Sequence, residues 1–323
     1  NPDLEPADTL FRARYIIARF TLEGLFEHEG ILLNKLFVED GLMNLVIEDK
    51  ADNGDGDTAT DNLSRIFRIG KLEAQEENDK ELFHIKKVEI SNMRFTMRSC
   101  QAERLQFSQG GIDWNDMDIR NININARELM FKGGIMSGTA EKISFREKTG
   151  YVVESISGSA KVGRGKTIIE NFQIHDLWSD LYLTYFMLSY KNVLAFQDFI
   201  NDVKIDAELT ESHLDFKTLS YFAPELKGNA LKADISGTMS GYIDGFNFNN
   251  FSFLSDAGGF SGTASGNITG LPDIETAVLD VDLKNFNITS RGLTDFLAEW
   301  TSEESKPDLS GYAPGVEFNI NAI

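Results

Sequence analysis

The chain has 323 residues, enough for one large or two ordinary domains, and its 41% hydrophobic content with 24 Phe excludes a disordered polymer. Its net charge of −20 repels phosphate backbones and anionic lipid surfaces. That excludes general nucleic-acid binding and docking on membranes by bulk charge.

Cys100 is the only cysteine, so no intrachain disulfide forms, which suits a reducing cytosol or a periplasm. No apolar run approaches the roughly 18 residues of a membrane-spanning helix. There is no signal peptide, and the chain runs from Asn1 to a strand-like stretch, Gly315 to Ile323. It reads as a fragment.

Taken in order, most segments alternate apolar and polar residues with a period of two, the pattern of half-buried strands. Ile31 to Val38 begins this pattern. Ala51 to Asp57 follows, a loop that lacks the ligand order and distal Glu of a calcium loop. Asp61 to Ile69 predicts a short helix. Between Ala160 and Thr167 lies a relaxed phosphate-loop match. The strand pattern after it, where a helix would be needed, makes Gly163 to Lys166 a hairpin turn instead. Val193 to Val203 and Leu214 to Leu226 predict short helices, the second stopping near Ala223-Pro224. Ser290 to Trp300 predicts another, with Ser290 as its cap, and a polar connector covers Ser302 to Pro307. The expected organisation is 1–80, 81–300 and 301–323.

Five segments share one unit, two apolar residues on each side of an Asn. The first is Val88-x-Ile90-x-Asn92-Met93-x-Phe95 and the second Met117-x-Ile119-x-Asn121-Ile122-x-Ile124. The third is Thr167-x-Ile169-x-Asn171-Phe172-x-Ile174. Phe246-x-Phe248-x-Asn250-Phe251-x-Phe253 and Val281-x-Leu283-x-Asn285-Phe286-x-Ile288 complete the set. Ile31 to Val38 fits with Lys35 in the Asn place, and Tyr151 to Gly158 more loosely with Ser155 there. Residues two apart on a strand share a face, but across each Asn the apolar spacing is three. An inserted residue, a β-bulge or corner, would return the second pair to the first face and bend the strand. Asn suits that place because it tolerates left-handed backbone angles. Otherwise Asn ends one short strand and a turn begins the next. Aligned bends predict an all-β, mostly antiparallel sheet folded lengthwise into a trough lined by these Val, Ile, Leu, Met and Phe side chains. Asn92, Asn121, Asn171, Asn250 and Asn285 would be the bend positions. The alternative for the same face is a closed core under another layer.

Chemistry is not signalled. His28, His84, His175 and His213 form no ligand spacing, Cys100 has no partner, and no nucleophile elbow occurs. No metal, cofactor or catalytic residue is expected, and the chain reads as a binding or conducting module rather than an enzyme.

The bend units resemble the TamB group of the AsmA-like family, the inner-membrane components of translocation and assembly modules. So do Ile143 to Gly150, Ile235 to Phe248 and Gly262 to Asp273. The likeness covers roughly residues 80–300, and Gly41-Leu-Met-Asn44-Leu carries a weaker one before it. The resemblance implies a periplasmic β-trough, the β-taco, anchored in the inner membrane by an amino-terminal helix missing here. It implies a conduit for phospholipid between inner and outer membrane, with acyl chains shielded in the hydrophobic groove. It also implies an alternative, a scaffold that assists outer-membrane protein assembly with an Omp85-type barrel, through parts missing here.

Overall fold

A computed structural model describes residues 10–20, 30–47, 81–99, 111–114, 116–191, 195, 199–256, 259–271, 276–289, 292 and 317–320. The expected helix at Asp61 to Ile69, the one at Ser290 to Trp300 apart from Gly292, part of the one at Val193 to Val203, and the loop Ala51 to Asp57 lie outside them, as does the connector Ser302 to Pro307.

The fold is all-β and mostly antiparallel. Its strands are β1 (Phe11–Phe20), β2 (Ile31–Ile47), β3 (Glu81–Ser99), β4 (Asp116–Lys132), β5 (Ile135–Glu147), β6 (Val152–Val162) and β7 (Lys166–Asp176). They continue with β8 (Asp180–Ser189), β9 (Lys204–Asp215), β10 (Lys232–Tyr242), β11 (Gly245–Ser255), β12 (Phe260–Thr269), β13 (Val278–Thr289) and β14 (Glu317–Ile320). Two compact units divide between Ser157 and Gly158, inside β6. Within each unit, neighbouring strands follow chain order.

In the first unit, β2 pairs with β3 in parallel, and β1–β2, β3–β4 and β4–β5 are antiparallel. In the second, β7 through β14 pair antiparallel throughout. The turn at Gly163 to Lys166 closes a hairpin, with the Gly163 N–H donating to the Lys166 carbonyl at 2.8 Å.

The helix expected at Leu214 to Leu226 is shorter than the periodicity predicts. Leu214 and Asp215 belong to β9, not to a helix. The following α-helix is one turn, α2 (Phe216–Leu219), then a 3₁₀ turn at Pro224–Leu226. Only α1 (Phe199–Asp202) is seen of the Val193 to Val203 prediction. Asp215 stops β9 and caps α2, accepting from the Lys217 N–H at 2.8 Å. This end of the second unit is a buried polar knot. Asp176 accepts from the Trp178 and Ser179 N–H groups and from the Thr218 hydroxyl. Trp178 stacks on Tyr221 at 5.7 Å. Burial, and then the Asp176 charge, hold the Tyr221 phenol above its ordinary pKa.

The physical reason for the bends is explicit in the backbone. Asn92, Asn121, Asn171, Asn250 and Asn285 all have φ between 46 and 53°. An L-residue pays a steric cost there that Asn meets more easily than most. Four of the five also sit at a register slip. Ser91 and Asn92 oppose Asn123 alone, and Asn121 and Ile122 oppose Phe145 alone. In the second unit, Asn250 and Phe251 oppose Gly237, and Asn285 and Phe286 oppose Gly262. These are two-against-one β-bulges with Asn in the left-handed place glycine usually takes. At Asn171 no slip occurs against β8.

Two weaker expectations need correction. In β2 the left-handed residue is Asp40, not Lys35, and in β6 the turned residue is Gly158, not Ser155. In each case the real site has a glycine next to it or at it (Gly41, Gly158).

Candidate functional site

The bulges place the apolar residues on one face within each unit. In the first, Ile90 pairs with Ile124, Met93 with Ile122 and Phe95 with Ile119. Val88 pairs with Ala126, and Met117 with Met97. Val88 is buried with Leu33 and Ile85, and Ile90 packs on that cluster. Met93 approaches the Gly41 position beside Val38, the register partner of Ile90. The apolar pairs before and after Asn92 therefore meet on one side.

In the second unit the face is continuous over more strands. Ile169 pairs with Phe186, Phe172 with Leu183 and Ile174 with Leu181. Leu183, Ala207, Leu209 and Ile235 form its buried centre, with Phe172, Phe186, Met239, Phe251 and Phe253 packed on it. Phe248 pairs with Met239, and Phe246 with Gly241. Leu283 pairs with Ala264, Val281 with Gly266 and Ile288 with Phe260. Phe253 stands between Phe260 and Phe286, with ring centroids 6.0 and 6.3 Å away.

Of the nineteen lining residues expected from the sequence, Val88 and Ile288 are buried and Val281 is exposed; the others are half-buried. A sealed core would leave them inaccessible, and an unpacked face would leave them open. Half-burial is what neighbours on a single sheet face give one another.

Sequence reasoning left the strands between the Asn units out of the lining. Leu183, Ala207, Leu209 and Ile235 form the buried apolar cluster of this face and lie on β8, β9 and β10. The alternation Ile205, Ala207, Leu209 carried that signal. Polar residues converge on the opposite side. A groove of about 910 Å³ is lined by Tyr182, Glu208, Thr210, Glu211, Ser236 and Asn250, with Leu209 of the apolar cluster at its wall. In the first unit a hollow of about 330 Å³ is lined by Asp40, Asn92, Arg94, Arg120 and Asn121, together with Leu42 and Met93. Both hollows lie where strands bend. Extra residues there displace the backbone, so the bulges shape the polar side as well.

The polar side of the first unit is tightly connected. Arg94 donates to both Asp118 carboxylate oxygens, at 2.8 and 3.0 Å, and Arg120 to one of them at 2.9 Å. Burial works against the Asp118 charge, but Arg120 and Arg94 outweigh it and hold the carboxyl below its ordinary pKa. Glu89 is likewise held low by Lys35 and Lys87.

Among the described residues no helix is long and apolar enough to cross a membrane. No protein-family model, curated protein or solved structure matches the chain. The site's meaning therefore rests on its geometry and on the resemblance above.

Proposed function

We propose that the apolar face shields the acyl chains of phospholipid and conducts them through the periplasm, between inner and outer membrane. What supports this reading most is the continuous half-buried face of the second unit, from Ile169 and Phe172 on β7 to Leu283 and Phe286 on β13. Each CH₂ taken out of water contributes about 0.8 kcal/mol, so two long tails bind strongly. The contacts are non-directional, so tails can slide along the face without a fixed site. No catalytic step is needed, and the role is that of a module rather than an enzyme.

The test is to purify the chain from a Gram-negative host and analyse extracts by mass spectrometry. Phospholipid is expected at a stoichiometric level, and well-folded protein free of lipid would sink the proposal. Val281 is the best place to perturb, because its side chain is already 36% exposed on this face. Val281→Glu should retain the far-UV spectrum and lose bound lipid.

A scaffold role in assembling outer-membrane proteins is the second reading, and β1 favours it. Phe11, Tyr15, Ile16, Ile17 and Phe20 are all exposed, on both faces of the strand. Among the described residues β1 pairs with β2 alone. Such a strand can add a client β-strand through its backbone. A photo-crosslinker at Tyr15 that captures β-rich client proteins, with none at Phe251 capturing lipid, would favour the scaffold over the conduit.

A further inference from the structure

His213, Asp234 and Asp256 are far apart in sequence, in no ligand motif, and the sheet brings them together. His213 on β9 is the register partner of Asp234 on β10. Asp234 is in turn the partner of Leu254 on β11, and Asp256 follows two residues later, on the same side. The Asp256 N–H donates to the Lys232 carbonyl at 3.2 Å, which ties the end of β11 to β10. His213 Nδ1 lies 3.0 Å from Asp234 Oδ1 and 3.7 Å from Asp256 Oδ1. All three ligand atoms fall within 4.8 Å of one another.

These separations have a chemical meaning. Zinc bonds of about 2.0–2.2 Å to imidazole nitrogen and carboxylate oxygen, in tetrahedral geometry, place ligand atoms about 3.3 Å apart. The two distances from His213 bracket that value. The backbones are already fixed by the sheet, so only side-chain rotations are needed to converge on an ion. His213 is half-buried while both carboxylates are exposed, so water can complete the coordination. Lys232, two residue pairs further along, is ion-paired with Asp215 at 3.0 Å. Its principal partner is therefore outside the triad.

We propose that His213, Asp234 and Asp256 form a surface site for one divalent transition-metal ion, with an imidazole and two carboxylates as protein ligands. One imidazole among oxygen ligands favours zinc and its neighbours over magnesium or calcium, which prefer all-oxygen sites. An ion there would join three adjacent strands across one face of the second unit. It would add to the apolar face rather than depend on it.

The experiment is calorimetric titration of the chelator-treated full chain with Zn²⁺, repeated in millimolar Mg²⁺. One saturable site per chain is expected, little affected by Mg²⁺. His213→Ala and Asp256→Asn should each weaken it about tenfold or more, with far-UV spectra unchanged. Binding that never saturates, that Mg²⁺ abolishes, or that both variants retain at full affinity would overturn the site and leave only diffuse attraction to an acidic surface. Should His213→Ala fold poorly, Asp256→Asn decides the matter alone, because Asp256 lies beyond the last residue of β11 and is exposed. Co²⁺ substitution adds an optical readout: visible absorption of a nitrogen–oxygen site is expected in the parent and not in His213→Ala.

Discussion

The two units bend their strands with the same backbone device and secure it differently. In the first unit the residue after each bend Asn is aliphatic, Met93 or Ile122, and polar side chains tie the bend. Asn92 Nδ2 donates to Asp40 at 2.7 Å, and the Asn92 N–H donates to Asn123 at 3.1 Å. In the second unit every bend Asn is followed by Phe, and a glycine on the preceding strand receives it. Gly158, Gly237 and Gly262 meet the backbones of Phe172, Phe251 and Phe286. A phenyl ring over a cross-strand glycine covers backbone that the glycine leaves bare. One motif is common to both units. Asn123 donates to the Asn121 carbonyl at 2.8 Å, and Asn287 to the Asn285 carbonyl at 3.3 Å. The left-handed residue is thus the shared requirement. What holds it in place varies with whether neighbouring groups are charged or aromatic.

The contrast predicts its largest effect at the glycines. A Cβ on Gly237 would lie 2.7 Å from the Phe251 Cα and 3.0 Å from the Asn250 carbonyl oxygen, and its φ is +141°. Both obstacles are backbone and cannot rotate away. Gly237→Ala should cost about 3 kcal/mol in urea unfolding. At Gly41 the nearest atom is the Met93 Cγ at 3.3 Å, part of a flexible side chain rather than backbone. Gly41→Ala should therefore stay within about 1 kcal/mol of the parent. Equal costs at the two positions would refute the distinction between the units.

The bend Asn residues should come next. Asn250→Val places a β-branched residue at φ 46° and should cost about 1–2 kcal/mol. Asn250→Gly keeps the N–H that donates to the Ser265 hydroxyl at 3.0 Å and should change stability by under about 0.5 kcal/mol. Asn92→Gly satisfies the backbone equally well but gives up the bond to Asp40, so it should cost about 1 kcal/mol. Thermal unfolding of the three variants side by side orders them, and an Asn92→Gly as mild as Asn250→Gly would show that the polar ties contribute nothing.

How much of this could be read beforehand depends on range. The bend is local: a spacing of three between apolar residues and one Asn suffice to mark it, and the five Asn positions have left-handed backbone. Strand type was equally local, since period-two alternation needs no partner. The helix expected at Leu214 to Leu226 was misjudged because Leu214 and Asp215 match a helical stripe as well as they match the end of β9, where pairing with β10 prevails. The parallel pairing of β2 with β3 leaves no mark on either strand, since both read as alternating segments in any direction. The His213 triad is the extreme case, since its three members are joined only by register across three strands. Charge networks such as Arg94, Asp118 and Arg120 are hidden for the same reason.

That network gives the smallest effect and the one with a definite pH window. The Asp118 side chain is 13% exposed and both guanidinium partners are more open. Its burial disfavours ionisation, yet Arg120 and Arg94 leave its pKa below the ordinary value of 3.8. A carboxyl depressed on folding stabilises the folded chain fully above its unfolded pKa. That stabilisation is lost as pH falls through the folded value. The first unit should therefore lose stability on acidification below about pH 4, by under about 1 kcal/mol from this group, because its partners are screened by solvent. Asp118→Asn should lower stability at neutral pH by a similar amount and flatten the acid limb of the stability curve. Raising the salt concentration should shrink the difference between parent and variant at neutral pH. The bends of the second unit have no comparable ion network among their described contacts, so Phe251→Leu should shift the whole curve by an amount independent of pH. An acid limb of the same slope in Asp118→Asn and parent would assign the pH dependence to other carboxylates, of which Glu89, held low by Lys35 and Lys87, is next in line.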